Sequence, residues 1–235
     1  MLFMTLLSCA LGAAALVKYI SEKLRAWSLR ALLWKSFVSC LFIATGFFAL
    51  CYQGAVPMAG LMVLGGLVCG LLGDVWLDLK FIYPKDEELY TYAGFLAFAA
   101  GHILYMSAML VLYGACAKPI HYALAALISI AGAFITVFIA PLMKLDYGKY
   151  RNISLFYGPL LFGTTVLSGT LALCTGFEER FLTVFFVGGV LFLLSDLVLC
   201  GTYFGKGKDR PIDVILNYVF YYGAQFVIAL SILFI

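Results

Sequence analysis

Two aspartates lie inside long apolar stretches of the chain, where a carboxyl group is costly to place. Asp74 follows Gly73 and Asp196 follows Ser195, each near the end of its stretch. An acid inside a membrane-spanning helix usually pairs with another group, faces a cavity or serves a function. Two carboxyl groups in one poorly hydrated pocket do not both ionise easily, so one of them keeps a proton near neutral pH. Such a pair is a candidate general acid and general base.

A structural role is the alternative for both aspartates, which would then only accept hydrogen bonds from Ser, Tyr or Gln side chains of neighbouring helices. Asp78 lies one helical turn after Asp74 on the same face, but nearer the end of the apolar stretch. Asp78 is therefore predicted to be a solvated residue at the end of its helix.

Other polar side chains occur in the same kind of apolar surroundings. His102 and Tyr105 share one helix face with Phe98, and Tyr221 lies one turn before Gln225. A lone histidine in a core is often only a packed residue with its hydrogen bonds made, and the alternative is a side chain that faces a cavity. The predicted substrate-binding residues are Lys35, His102, Tyr105, Tyr157, Ser195, Tyr221, Tyr222 and Gln225.

Basic residues at the ends of apolar stretches have two interpretations. Lys35, Arg151 and Asn152 are predicted to line the mouth of a cavity between the aspartates, where cations can hold a phosphate headgroup. Anchoring at the membrane surface is the alternative for Arg151. It is the preferred interpretation for the first cluster of basic residues: Lys18, Lys23, Arg25 and Arg30.

The composition places all these residues in a membrane protein. The 235 residues are 65% hydrophobic and only 11% charged, with a mean hydropathy of +1.06. A soluble domain carries about twice that charged fraction. The net charge of +3 is therefore no sign of a nucleic-acid partner. The fold class is all-α, a polytopic bundle of membrane-spanning helices.

Apolar windows between polar breaks predict eight spans. They cover residues 2–20, 35–53, 57–77, 91–115, 120–141, 153–174, 181–201 and 211–234. The first, third, fifth and seventh loops, with their flanks, hold 13 of the 15 lysines and arginines, including Lys206 and Lys208. The positive-inside rule places these loops in the cytoplasm and both termini outside. An odd number of spans would break the alternation.

An internal repeat is predicted within a single transmembrane domain over residues 1–235. The stretches 65–77 and 188–199 both read as an apolar helix, a small residue, an aspartate and a further apolar run. The halves would be about 1–116 and 117–235. Because the stretches lie four spans apart, the repeat would be parallel, and both aspartates would lie toward the cytoplasmic side.

The seven cysteines are scattered through apolar stretches, and only two histidines, His102 and His121, accompany them. No zinc cluster can be assembled from that set, and no cofactor motif is present, so neither a metal nor a cofactor is expected. A cleavable signal peptide is not expected either, because the first basic residue, Lys18, follows the first apolar run instead of preceding it.

Four motifs in this order resemble the YhhN-like, or lysoplasmalogenase, family over roughly residues 30 to 230. They are Gly73-Asp74 with Leu77; Gly94, Phe95, Phe98, His102 and Tyr105; Ser195-Asp196 with Leu199; and Tyr221, Tyr222 and Gln225. Two places depart from the family's pattern. Ser36 follows Lys35 where relatives usually have proline, and the proline after the Gly-Asp-x-x-Leu motif is delayed to Pro84, which affects the helix start and the third loop.

The resemblance implies an eight-span membrane hydrolase that cleaves the vinyl-ether bond of lysoplasmalogens to a fatty aldehyde and a glycerophospho-headgroup. It implies a catalytic role for Asp74 and Asp196, and a lipid substrate without a cofactor. The alternatives are a transporter of small solutes or lipids, since midspan acids and parallel repeats also occur there, and a lipid-binding protein without activity. The compact loops favour a bacterial cytoplasmic membrane over the endoplasmic reticulum. Gly66-x-x-x-Gly70 predicts a helix contact, within the subunit or in a homodimer.

Overall fold

The computed structural model describes residues 1–54, 56–205 and 210–235, and in these ranges the fold is a bundle of eight long helices. Lys206 and Lys208, which entered the charge count above, lie outside the described residues. The helices are α1 (Leu2–Arg25), α2 (Leu29–Tyr52), α3 (Met58–Ile82), α4 (Glu87–Tyr113), α5 (Pro119–Phe138), α6 (Arg151–Cys174), α7 (Arg180–Phe204) and α8 (Pro211–Ser231).

Each of the eight predicted spans contains one helix long and apolar enough to cross a membrane, so the all-α polytopic fold is confirmed. Pro119 and Pro211 occupy the first turns of α5 and α8, where a missing N–H removes no helical hydrogen bond. Pro159 lies inside α6, which continues on both sides of it. The side of the membrane that each loop faces stays a prediction.

Several helices are longer than the apolar windows that predicted them. The prediction ended the first span at residue 20 and the third at 77, whereas α1 continues to Arg25 and α3 to Ile82. Helical hydrogen bonding does not stop where polar side chains begin, so an apolar window cuts off the polar last turns. Lys35 is affected in the same way. It was predicted at the start of its span, but α2 begins at Leu29, and Lys35 lies well inside the helix.

Six helices pack in a closed series of neighbours, in the order α2, α3, α4, α6, α7, α8 and back to α2. Helix α1 packs against α2 and α8, and α5 packs against α6. Asp74 and Asp196 occupy the same place in two helices of 25 residues each, α3 and α7. Helices that follow each other in sequence commonly pack together, so these pairings do not establish the parallel repeat, which stays a prediction.

Glycines on one face of α3 let two other helices approach closely. A Cβ atom on Gly66 would meet the ring of Tyr105 on α4, and one on Gly70 would meet the Gln225 amide on α8. The Gly66-x-x-x-Gly70 contact is therefore made within one chain, which is the first of the two predicted possibilities. Close packing of this face brings α4 and α8 against the helix that carries Asp74.

Candidate functional site

One cavity inside the bundle is lined by both aspartates, Asp74 from α3 and Asp196 from α7. We call it the inner cavity. It encloses about 100 Å³, and every helix from α2 to α8 contributes lining residues. Most of these are apolar, among them Phe98, Leu161 and Phe162. Such a lining suits a short apolar group beside a few polar groups at one place.

The ten predicted site residues divide into two groups around the inner cavity. Six of them line it: Lys35, Asp74, Tyr157, Ser195, Asp196 and Tyr221. The other four are buried behind the lining: His102, Tyr105, Tyr222 and Gln225. Three of them are hydrogen-bonded to a lining residue, and Tyr105 is hydrogen-bonded to Gln225. Sequence motifs therefore located the polar groups around one cavity, but only some of these groups can touch a ligand.

Asp74 is almost fully buried and is held by three donors. The hydroxyl groups of Ser39 and Tyr221 donate to its Oδ2 at 2.6 and 2.9 Å. The Lys35 ammonium lies 3.3 Å from its Oδ1, with both side chains about 5% exposed or less. A nearby cation and two hydroxyl donors all stabilise the charged form of a carboxyl group. The surroundings of Asp74 are therefore those of a carboxylate.

Asp196 has different surroundings. The Tyr157 hydroxyl donates to its Oδ2 at 2.7 Å. Within the described ranges, no lysine or arginine nitrogen lies within 4.0 Å of its carboxyl oxygens. Asp196 is partly exposed, and it lines the inner cavity. With one donor and no cation, this carboxyl group receives much less compensation for loss of hydration than Asp74 does.

Two chains of hydrogen bonds run from α4 to the two aspartates. In the first, His102 lies between Thr164, 2.9 Å from its Nδ1, and Tyr157, 3.3 Å from its Nε2. Because the single Tyr157 proton is donated to Asp196, the proton of neutral His102 belongs on Nε2. Nδ1 faces the Thr164 hydroxyl, which is also within hydrogen-bond distance of the Leu160 carbonyl, at 3.1 Å. The histidine thus orients the tyrosine that orients Asp196.

In the second chain, the Tyr105 hydroxyl donates to Gln225 Oε1 at 3.1 Å, and Gln225 Nε2 donates to the Tyr221 hydroxyl at 3.0 Å. Tyr221 then donates to Asp74. Each bond in this chain has a defined donor and acceptor, and all of these side chains are buried. Fully satisfied networks of this kind hold their members in one geometry.

Asp78 does not lie in solvent, so its prediction as a solvated residue at the helix end was wrong. It is 3% exposed and pairs with two lysines, Lys23 from α1 at 2.8 Å and Lys35 from α2 at 3.1 Å. Lys23 is 4% exposed, so its assignment as a surface anchor was also wrong. The polar last turns of α1 and α3 extend far enough to bring the two side chains together. The charges form a buried series: Lys23, Asp78, Lys35, Asp74.

Two of the three residues predicted at the mouth of the cavity do not line it in the structure. Arg151 and Asn152 are exposed and do not line the inner cavity, and the Arg151 guanidinium lies 5.3 Å from the centre of the Phe138 ring. Both were predicted at the mouth because they begin α6, but they face outward from its first turn. Tyr147, from the loop before α6, lines the inner cavity instead, and burial raises the pKa of its hydroxyl.

Several network members were not predicted. Ser39 lies one turn after Lys35, and Asn217 lies one turn before Tyr221, so helical spacing from predicted residues could have found both. Asn217 donates through Nδ2 to the Ser195 hydroxyl at 3.1 Å and to its carbonyl at 2.9 Å. Ser195 is thereby fixed beside Asp196.

A sequence model of the YhhN family matches residues 30–232. The chain belongs to the YhhN family. Comparisons with curated proteins and with solved structures found no match. The match includes both aspartates and both hydrogen-bond chains of this YhhN protein, but it begins after α1. Lys23, which neutralises part of Asp78, therefore comes from outside the matched segment.

Proposed function

We propose that this YhhN protein is a hydrolase that cleaves the vinyl-ether bond of lysoplasmalogens, releasing a fatty aldehyde and a glycerophospho-headgroup. One observation carries the proposal: two carboxyl groups with contrasting surroundings, Asp74 and Asp196, line the same largely apolar cavity. Hydrolysis of a vinyl ether requires an acid and a base beside an apolar chain, and the YhhN family supports this assignment.

Asp196 is the proposed general acid, and Asp74 is the proposed general base. An apolar site without a cation favours the neutral form of a carboxyl group, which is the form that can give up a proton. With Oδ2 of Asp196 accepting from Tyr157, its other oxygen is left to carry the proton. Asp74, beside Lys35 and two hydroxyl groups, is ready to accept one.

The reaction begins when Asp196 transfers its proton to the alkene carbon that is not bonded to oxygen. This forms an oxocarbenium ion, whose positive charge the two carboxylates stabilise. Water then attacks the carbon bonded to oxygen while Asp74 removes a proton from it, and a hemiacetal results. The hemiacetal hydroxyl returns a proton to Asp196, Asp74 protonates the departing glycerol oxygen, and the carbon–oxygen bond breaks. One water is consumed, and both aspartates end in their starting forms.

The test is aldehyde release from lysoplasmenylcholine or lysoplasmenylethanolamine by protein purified in detergent. We expect Asp74→Asn and Asp196→Asn to abolish release, because an amide neither gives nor accepts the proton at the reacting atoms. Asp86→Asn is the matched control, since Asp86 is exposed before α4 and lies outside the inner cavity. It should release aldehyde like the unchanged protein.

The substrate provides a second control. A lysolipid with a saturated ether at the same position has no alkene carbon to protonate, and it should stay intact under the same conditions. Well-folded, unsubstituted protein that releases no aldehyde from either headgroup would contradict the proposal. Full activity in Asp196→Asn would contradict the assignment of the acid.

A further inference from the structure

A second and larger cavity adjoins the inner one, and we call it the outer cavity. It encloses about 530 Å³ where α3 ends and α4 begins, and Trp27, Lys80, Phe81 and Pro84 line it. Five residues line both cavities: Leu199, Tyr203, Phe204, Asn217 and Tyr218. One wall therefore separates two adjacent spaces of different character.

Lys80 gives the outer cavity a buried positive charge. Its side chain belongs to the last turn of α3 and the residue is only 8% exposed. Among the described residues, no carboxylate oxygen lies within 4.0 Å of its ammonium group, and its nearest aromatic neighbour is the Tyr203 ring at 3.6 Å. Lys23 and Lys35, by contrast, both reach Asp78. Glu87 and Asp78 attract this charge only from beyond 4.0 Å. A buried cation without a close counter-ion is unfavourable, and a bound anion would relieve it.

The aromatic faces beside this lysine are already in use. The Lys23 ammonium lies 3.3 Å from the centre of the Trp27 ring, and Lys80 covers Tyr203. A quaternary ammonium group needs such faces free, so these rings do not form a site for one. Glu87 at the rim is exposed and accepts a hydrogen bond from Tyr150. The charge inside the cavity favours an anion.

We infer that the outer cavity binds the phosphate group of a single-chain phospholipid through Lys80, while the ether end of its chain lies in the inner cavity. The inference rests on the proposed function and adds the part of the molecule that selects its substrate. With phosphate on one side of the shared wall and the ether end of the chain on the other, the glycerol passes the wall and the ether reaches the two aspartates. Lys35 is not the phosphate ligand, because its ammonium group is already paired with the carboxylates of Asp74 and Asp78.

The test is binding of a lysophosphatidylcholine with a saturated ether chain, which the proposed chemistry cannot cleave. Lys80→Met keeps the length of a buried side chain and removes its charge. We expect it to weaken binding about tenfold or more, since a hydrogen bond to a charged group is worth about 1.5–3 kcal/mol. Lys85→Met removes a charge from an exposed position five residues away and should leave affinity unchanged. Lys80→Arg should retain most of the affinity.

A monoalkylglycerol with the same chain but no phosphate shows whether Lys80→Met weakens binding through the lost charge or through disturbed packing. It should bind Lys80→Met and the unchanged protein equally. Unchanged affinity of Lys80→Met for the phospholipid would overturn the inference, and so would an equal loss for both ligands. Since binding is measured without turnover, the two proposals can fail separately. If the protein releases no aldehyde but Lys80→Met still weakens binding of the phospholipid, the proposed reaction is contradicted and the phosphate site is supported.

Competition identifies the source of the phosphate. Glycerophosphocholine carries the headgroup without the chain, and we expect it to displace the bound lipid at a lower concentration than inorganic phosphate. If inorganic phosphate displaces the lipid at the same or a lower concentration, the cavity is a site for free phosphate, and the assignment to a lipid headgroup is wrong.

Discussion

Removal of Lys35 should disable Asp74, whereas removal of Lys23 should not. Both lysines are buried members of one charge series, and both contact Asp78, at 3.1 and 2.8 Å. Only Lys35 also reaches Asp74, at 3.3 Å, and only Lys35 lines the inner cavity. Lys35→Met and Lys23→Met each leave Asp78 with one cation. The difference between the two variants therefore isolates the contact between Lys35 and Asp74.

The expected magnitude follows from the burial of these charges. Loss of one partner from a buried ion pair costs about 3–5 kcal/mol of stability. Both variants should therefore unfold at lower temperature than the unchanged protein. In Lys35→Met, Asp74 loses its cation and avoids part of the cost by taking up a proton. A protonated Asp74 cannot act as the base, and the loss of general base catalysis lowers the rate by a factor of about 10²–10⁴.

The assay is aldehyde release per folded protein, with the folded fraction taken from size-exclusion chromatography and thermal unfolding in the same detergent. Lys23→Met should retain most of the turnover number of the unchanged protein, despite its lower unfolding temperature. Equal loss of turnover in both variants would refute the reasoning, because the catalytic effect would then follow stability and not the contact with Asp74.

Two further substitutions test the network and its packing. Tyr157→Phe removes the hydroxyl that donates to Asp196. As Asp196 gives up its proton it becomes a carboxylate that this hydroxyl stabilises, so kcat/KM should fall about ten- to hundredfold in the aldehyde assay, the value of one hydrogen bond to a charged group. An unchanged value would contradict the role given to Tyr157. Gly66→Ala should lower the unfolding temperature by an amount equivalent to about 1–3 kcal/mol, since its Cβ would meet the buried Tyr105 ring. Gly223→Ala is its control, because the nearest atom lies 3.8 Å away, and equal unfolding temperatures in these two variants would contradict the packing argument.

The helices could be predicted from sequence because lipid imposes a strict rule. Each span must be long, apolar and helical, and eight windows met that condition and were confirmed. Asp74 and Asp196 could be found for the same reason, because an acidic residue inside an apolar span is an exception to this rule. The ends of the helices were less accurate, since nothing in an apolar window marks where a helix continues into polar sequence.

The buried charge series could not be predicted in this way. Lys23 follows an apolar run and Asp78 lies near the end of another, so each reads as a surface residue when taken alone. Their burial depends on the packing of α1 beside α2, which places Lys23 against a helix distant in sequence. Lys80 was missed for the same reason. Pairing across helices is a property of the three-dimensional arrangement.

The most direct test of the central claim is the isotope content of the products formed in labelled water. The unchanged protein, given lysoplasmenylcholine in D₂O with immediate reduction of the aldehyde, should yield a product with one deuterium on the carbon next to the former aldehyde carbon. In water enriched in ¹⁸O, the heavy oxygen should appear in the trapped aldehyde and be absent from glycerophosphocholine, because the bond between the vinyl carbon and oxygen is broken. Aldehyde without deuterium at that carbon, or ¹⁸O in the glycerophosphocholine, would contradict protonation of the alkene by the aspartate pair.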